Sequence, residues 1–227
     1  MTGVAGRVTL GAGRNGNGRA VMDEEQRQEQ DRLAREAARL MFDDEQLPVS
    51  EAIAQARRPL RGVLVQRPSQ SLVLRHLRAL QETAHGQAGF EAMRRAQLRL
   101  ILELLDLVEN FSSPESIILA GRIARGHLEG PLEVHARLYG GAALDSIVVD
   151  LESAGVEEVS FATADTRQGR LPRILFMSDG IRFVLTQCAP DMYWQRGENL
   201  FTGAPIKVIT LDELRTLVEA GSSPDHL

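Results

Sequence analysis

Residues 116–138 read SIILAGRIARGHLEGPLEVHARL, and this stretch decides the fold. An apolar run at 116–120 ends in Gly121, and a loop containing Arg122 and Arg125 follows. Apolar residues then alternate with Glu133, His135 and other polar residues over 132–138. A short apolar run and a period of two are both typical of strands. The sequence therefore predicts two strands joined by a loop rich in glycine and arginine.

Apolar residues recur at helical spacing over the part of the chain that precedes these strands. The pattern predicts one helix from Asp23 to about Phe42 and a second after Pro48, with Ser50 as its possible cap. It predicts a third helix that opens at 68–69 and, after the glycines at 86 and 89, a fourth that runs from about 90 to 110. We therefore expect residues 23–110 to form a helical region.

Strand and helix patterns alternate over the part of the chain that follows. They predict a helix at 142–154, a strand at 159–162, strands at 173–177 and 181–188, and a last short strand at 206–209. Asp179-Gly180 is a hairpin signal, and Thr210 with Glu213 forms a capping box before a final helix. The expected fold class is α+β, in which a helical region precedes a mixed sheet flanked by helices at 111–220.

Composition and charge exclude several classes of protein. The formal net charge of -5 argues against a general nucleic-acid binder. Cys188 is the only cysteine, which excludes an internal disulfide and favours a cytoplasmic location. The apolar runs are shorter than the roughly 20 residues of a membrane span, so no membrane association is expected. Residues 1–22 predict a flexible tail rich in glycine and arginine, and 221–227 predict a second tail.

The order of strand, glycine, loop, acid-bearing strand, helix and hairpin resembles the polymerase-beta-type nucleotidyltransferase superfamily. Residues 36–41, 68–69, 203–206 and 210–214 also look like segments of proteobacterial nucleotidyltransferase-like proteins, which implies a bacterial protein. Families on that fold place Gly-Ser or Gly-Gly after the first strand, two acids at i and i+2 on the second, and a third acid on a later strand. Residues i and i+2 point to one side of a strand, so such acids can hold Mg²⁺ against nucleotide phosphates.

The catalytic motif is degenerate in this chain. Arg122 stands at the serine position, Pro131 and Glu133 at the paired acids, and Val184 at the third acid. Glu133 alone offers too little negative charge for two divalent ions, and we expect it to pair with a neighbouring arginine. The resemblance therefore implies a nucleotidyltransferase-like pseudoenzyme with no cofactor and no metal site, in which Glu133 is the one candidate catalytic residue.

Basic residues surround the degenerate motif and could bind a phosphate or carboxylate group without a metal. A nucleotide or other phosphate-bearing ligand is then the expected partner of a binding or regulatory module. The alternative is that these residues are solvated side chains in an arginine-rich chain. The candidate ligand-binding residues are Gly121, Arg122, Arg125, His127, His135 and Arg137.

Two other functions stay open at this stage. Acids from elsewhere, such as Glu129, Asp145 or Asp179, could complete an active Mg²⁺-dependent transferase. Alternatively, the helical region could serve as a scaffold for a protein partner, which requires an exposed apolar stripe on its helices. Cys188 is expected to pack beside Phe183 and is therefore a poor nucleophile.

Overall fold

The computed structural model describes residues 16–60, 66–113, 116–140 and 143–219. Most of the predicted N-terminal tail, 1–15, and the tail at 221–227 lie outside the described residues. Helix α1 covers Gly16–Asp43, so residues 16–22 are helical, although the sequence predicts them as part of the tail. A helix that has already nucleated propagates at little further cost, and no proline interrupts this one.

Two further helices complete the N-terminal half: α2 covers Val49–Arg57 and α3 covers Gln70–Glu109. Pro48 is the N-cap of α2, so the predicted cap at Ser50 is wrong. Ser69 caps α3, where its Oγ accepts a hydrogen bond from the Leu72 N–H at 3.2 Å. At Gly86 (φ 68°) the backbone of α3 departs from helical geometry, and the helix resumes beyond it. The predicted glycine break is therefore a kink within α3.

Over the described residues that follow α3, a six-stranded mixed sheet packs with two α-helices, and the predicted α+β class is confirmed. Its spatial order is β3-β4-β5-β2-β1-β6, in which β2 and β5 are parallel and the other neighbours are antiparallel. The elements are β1 Ile117–Ala120, β2 Glu133–Tyr139, α4 Leu144–Ser153, β3 Ser160–Thr166, β4 Gly169–Ser178, β5 Ile181–Cys188, β6 Val208–Thr210 and α5 Leu211–Glu219.

Local turn chemistry behaves as the sequence predicts. Asp179 and Gly180 both have positive φ, 48° and 74°, which is the type I′ geometry that suits the twist of a hairpin. Thr210 and Glu213 form the predicted capping box: the Glu213 N–H donates to Thr210 Oγ1 at 3.1 Å, and the Thr210 N–H donates to Glu213 Oε2 at 2.7 Å. The hairpin turn sets the direction of β5, and the capping box fixes the start of α5.

Two hydrophobic clusters meet along α3. The first half of α3 packs with α1 and α2, whereas Leu98, Ile101, Leu105 and Val108 of its second half pack under one face of the sheet with α4 and α5. Residues that precede the predicted division at 110 therefore contribute to the core beneath the sheet. None of the described helices has the length and apolar character needed to cross a membrane.

The other face of the sheet is only partly covered. Residues 189–207 lie over one part of it and bury a small cluster around Tyr139, Cys188 and Leu200. Cys188 is therefore on the opposite side of β5 from Phe183, and its predicted packing is wrong because side chains alternate along a strand. Burial raises the pKa of the Cys188 thiol to about 11, which keeps it protonated at neutral pH. Glu133, His135 and Arg137 of β2 lie on this same face.

A buried ion pair joins α3 to the loop between β1 and β2. Arg94 Nη1 donates to Glu129 Oε1 at 3.0 Å, and both side chains are about 2% exposed or less. Arg94 Nη2 also donates to the Gly126 carbonyl at 2.9 Å. Arg94 therefore fixes two points of the loop that carries most of the candidate site.

We predict that Arg94→Ala lowers the free energy of unfolding by about 3 to 5 kcal/mol, because it leaves the Glu129 carboxylate buried without its partner. Urea denaturation followed by circular dichroism measures the change. Arg95→Ala, at the exposed neighbouring position, should cost less than about 0.5 kcal/mol. A loss at Arg94 as small as that at Arg95 would contradict a structural role for the ion pair.

Candidate functional site

The loop between β1 and β2 is held by its own backbone geometry and by Arg122. Gly121 has a φ of 81°, which turns the chain sharply at the end of β1. Arg122 Nη1 donates to the Pro131 carbonyl at 2.6 Å, and Nη2 donates to the Glu129 carbonyl. Burial lowers the pKa of Arg122, while the carboxylates of Glu129 and Glu133 act in the opposite direction. Arg122 therefore fixes the loop as well as facing the site.

A cavity of about 300 Å³ lies on the partly covered face of the sheet, beside this loop. We call it the basic cleft, because its described lining residues include no aspartate or glutamate. Strand register explains the convergence: Arg137 of β2 and Arg173 of β4 both lie opposite Thr186 of β5. The ionisable residues that line the basic cleft are Arg122, Arg125, His135, Arg137 and Arg173.

Two arginines of the basic cleft hold donors without a partner. The Nε atoms of Arg122 and Arg173 are buried, and neither has an acceptor among the described residues. Burial also lowers the pKa of Arg173, whose guanidinium lies 5.3 Å from the centre of the Phe201 ring. An unmet buried donor carries a desolvation cost, so the fold holds these two side chains in place at some expense of free energy. The basic lining as a whole suits the cleft to an anionic ligand.

Arg137 forms the inner wall of the cleft. Its residue is 5% exposed, and its Nη1 donates to the Arg196 carbonyl at 3.0 Å. This bond ties β2 to the segment that covers the sheet. The same segment is anchored by Tyr193, whose ring meets Tyr139 edge-on at 5.3 Å, whereas Trp194 is 72% exposed. The aromatic residues at 193 and 194 therefore have different surroundings.

Glu133 lies at the edge of the basic cleft. Its Oε1 is 3.4 Å from His135 Nε2, a contact that is an ion pair only when the histidine is protonated, whereas the sequence predicts a salt bridge with an arginine. On the adjacent parallel strand, Arg182 lies opposite Glu133 and Val184 lies opposite His135. The neighbouring strand therefore places no second carboxylate beside Glu133.

The acids proposed to complete a metal site occupy other parts of the fold. The Glu129 carboxylate is buried against Arg94. Asp145 lies in the first turn of α4, and Asp179 lies in the turn between β4 and β5. Within the described ranges, no group of three or more His, Cys, Asp and Glu side chains is arranged to hold a metal ion.

Five of the six predicted ligand-binding residues line the basic cleft, and His127 lies elsewhere. His127 borders a different depression with Ser69 and Arg75, and its Nδ1 is 3.8 Å from Glu129 Oε2. Sequence reasoning missed Arg173 and Phe201, which also line the cleft. The hairpin signal at 179–180 could have found Arg173, because it fixes the register that sets Arg173 beside Thr186.

Comparisons with protein-family models, with curated proteins and with solved structures gave no match. The chemistry of the cleft therefore rests on its own geometry. Guanidinium groups donate paired hydrogen bonds to planar or tetrahedral oxyanions and keep their charge at neutral pH. Several of them around one cavity can bind and orient a phosphate or carboxylate group, which is the chemistry that this arrangement supports.

We predict that sulfate binding in the cleft strengthens several-fold as the pH falls from neutral through the lowered pKa of His135. The pKa of His135 is held below its ordinary value by partial burial and by repulsion from Arg173, Arg137 and Arg182, against the attraction of Glu133. His135 is therefore neutral at pH 7, and lowering the pH adds a positive charge to the cleft. Isothermal titration calorimetry measures the affinity.

His135→Gln is the control for this pH dependence, because it keeps a polar side chain that does not titrate. Its sulfate affinity should change little over the same range. The lowered pKa also makes folding stability depend on pH. The contribution of His135 to the free energy of unfolding is complete above the pKa that it has in the unfolded chain, and it declines as the pH falls through its pKa in the folded state. An unaltered pH dependence of sulfate binding in His135→Gln would exclude His135 as the titrating group.

Proposed function

We propose that the protein is a nucleotidyltransferase-fold binding module that holds a phosphate-bearing ligand in the basic cleft and does not catalyse metal-dependent transfer. It is then a cytoplasmic bacterial pseudoenzyme with a binding or regulatory role. The observation that carries the proposal is the lining of the cleft, which has four arginines and a histidine and no carboxylate among its described residues.

The charge of the cleft favours direct binding of phosphate. Metal-dependent transfer uses carboxylates to hold divalent ions, which in turn neutralise the phosphates. Here the guanidinium groups that line the cleft supply positive charge directly. A phosphate group accepts several hydrogen bonds from such groups at once. The ligand therefore needs no metal to be held in this cleft.

The arrangement of strands supports the relationship to nucleotidyltransferases. β1 and β2 are antiparallel neighbours joined by the loop that begins at Gly121, and β5 lies parallel to β2 on its other side. Val184 is thus on the strand next to Glu133, where a third acid would have to lie to share a metal site. Val184 is the residue that the resemblance assigns to the third acid.

The two alternative functions have less support from the described residues. An active transferase needs a second carboxylate at Glu133, and Glu129 is engaged by Arg94. A helical scaffold needs an exposed apolar stripe, and among the large apolar residues of α1, α2 and α3, only Phe42 is exposed in the described part, at 37%. We therefore favour the binding module over both.

We predict that Arg173→Gln weakens the binding of ATP, used as a phosphate-bearing probe, by about tenfold or more, which corresponds to one charge-assisted hydrogen bond. Binding should persist in EDTA, since arginines rather than metal ions hold the phosphates. Arg170→Gln is the matched control, because Arg170 lies on the same strand, is exposed and is not among the described lining residues. Equal losses in both variants, or a requirement for Mg²⁺, would contradict the proposed mode of binding.

We predict that the purified protein transfers no nucleotide from any of the four radiolabelled nucleoside triphosphates in the presence of Mg²⁺ or Mn²⁺. The physical reason is that Glu133 alone cannot hold two divalent ions. Product separation by chromatography measures transfer to added acceptors and to the protein itself. Robust transfer that Glu133→Ala abolishes would establish the active alternative in place of the pseudoenzyme.

A further inference from the structure

A second cavity, of about 650 Å³, lies in the helical region between α1, the end of α2 and the first half of α3. We propose that this cavity binds a small amphipathic acid, with an aliphatic body and one carboxylate group. We call it the helical groove. Its apolar side consists of Leu33, Ala56, Pro59, Ala79 and Leu80, and its rim carries Arg32, Arg35 and Arg39.

Alanine, leucine and proline side chains form the apolar side of the helical groove. Leu33 and Ala56, 2% and 6% exposed, are buried at its base, and Ala79 and Leu80 of α3 stand beside them. A methyl side chain at both 56 and 79 leaves space that larger residues would fill. The resulting volume lies within the roughly 300 to 1,000 Å³ of small-molecule sites. An aliphatic chain can therefore be taken out of water here.

The rim of the groove is basic. Arg32, Arg35 and Arg39 follow one another at helical spacing on α1, and their side chains are 69%, 69% and 56% exposed. Glu36 is the one acid of the described lining, and it is held by two hydrogen bonds from Arg39, at 3.2 and 2.8 Å. Arg39 also donates to Asp43 at 2.9 Å, so the rim arginines are paired with acids of α1, and an anionic head group would exchange for one of these partners.

Arg32 is the best placed of these arginines to receive the head group. Its ion contact with Glu29 is an exposed pair three residues apart on the same helix, at 3.4 Å. Such pairs contribute little to stability and are readily exchanged. Arg35 by contrast pairs with Asp31, which also contacts His76 Nε2 at 2.8 Å. Arg32 can therefore turn to a ligand with little loss.

The surroundings of the groove favour a small ligand over a partner helix. A docked helix buries side chains over several turns and needs an apolar track of matching length. Beyond the groove, the described residues of α1 to α3 expose one large apolar side chain, Phe42. The apolar surface therefore does not extend beyond the groove, and a ligand about as large as the groove is enough to cover it.

Isothermal titration calorimetry of the full chain with hexanoate, octanoate and decanoate, below their micellar concentrations, tests this proposal. We expect saturable 1:1 binding whose affinity rises by up to about fourfold for each buried methylene. Decan-1-ol should bind about tenfold more weakly than decanoate. Absence of saturable binding by all three acids would overturn the proposal.

Matched variants locate the site and separate it from the basic cleft. Ala79→Trp should fill the groove and weaken decanoate binding more than tenfold, whereas Ala88→Trp, at an exposed alanine of α3 that does not line it, should bind as wild type. Arg32→Gln should weaken decanoate but not decan-1-ol, and Arg99→Gln, with the same charge change at an exposed site on α3, should weaken neither. Wild-type decanoate affinity in Ala79→Trp, or a loss in Arg173→Gln, would place the acid elsewhere and overturn the assignment.

Discussion

The buried ion pair of Arg94 and Glu129 is the constraint on which the candidate site depends. Neither charge is accessible to water, so each needs the other to offset the cost of its burial. Arg94 also binds the Gly126 carbonyl, and Arg122 binds the carbonyls at 129 and 131 from the other side. Two arginines thus fix the loop between β1 and β2. Because this loop leads directly into β2, the same contacts determine the direction in which Glu133, His135 and Arg137 project from the strand.

Local patterns were sufficient to predict most of the fold and part of the site. Alternation predicts β2, Asp179-Gly180 predicts the hairpin, and five of the six chosen residues do line one cleft. Arg94 was missed because its partner lies 35 residues away, and a charged residue in a helix is normally expected to face solvent. Arg173 was missed because its place beside Arg137 depends on the pairing of three strands, which no single segment encodes.

Folding brings the basic side chains of the cleft together at a cost in electrostatic free energy. Burial lowers the pKa of Arg122 and Arg173, and repulsion from neighbouring arginines adds to the lowering of the pKa of Arg173 and His135. Glu133 opposes the shift in all three. A ligand that brings negative charge relieves the same repulsion. This mutual repulsion distinguishes the clustered arginines of the cleft from isolated surface arginines.

The charge of Glu133 acts mainly on the basic groups around it. As a member of an acid set, it would attract divalent cations; in this chain its charge acts on Arg122, His135 and Arg173. A divalent ion beside Glu133 would be repelled by Arg122 and Arg173, and by His135 once that side chain is protonated. Acids introduced at positions 131 and 184 would have to hold a divalent ion against that repulsion. Glu133 and the arginines are therefore parts of one electrostatic arrangement.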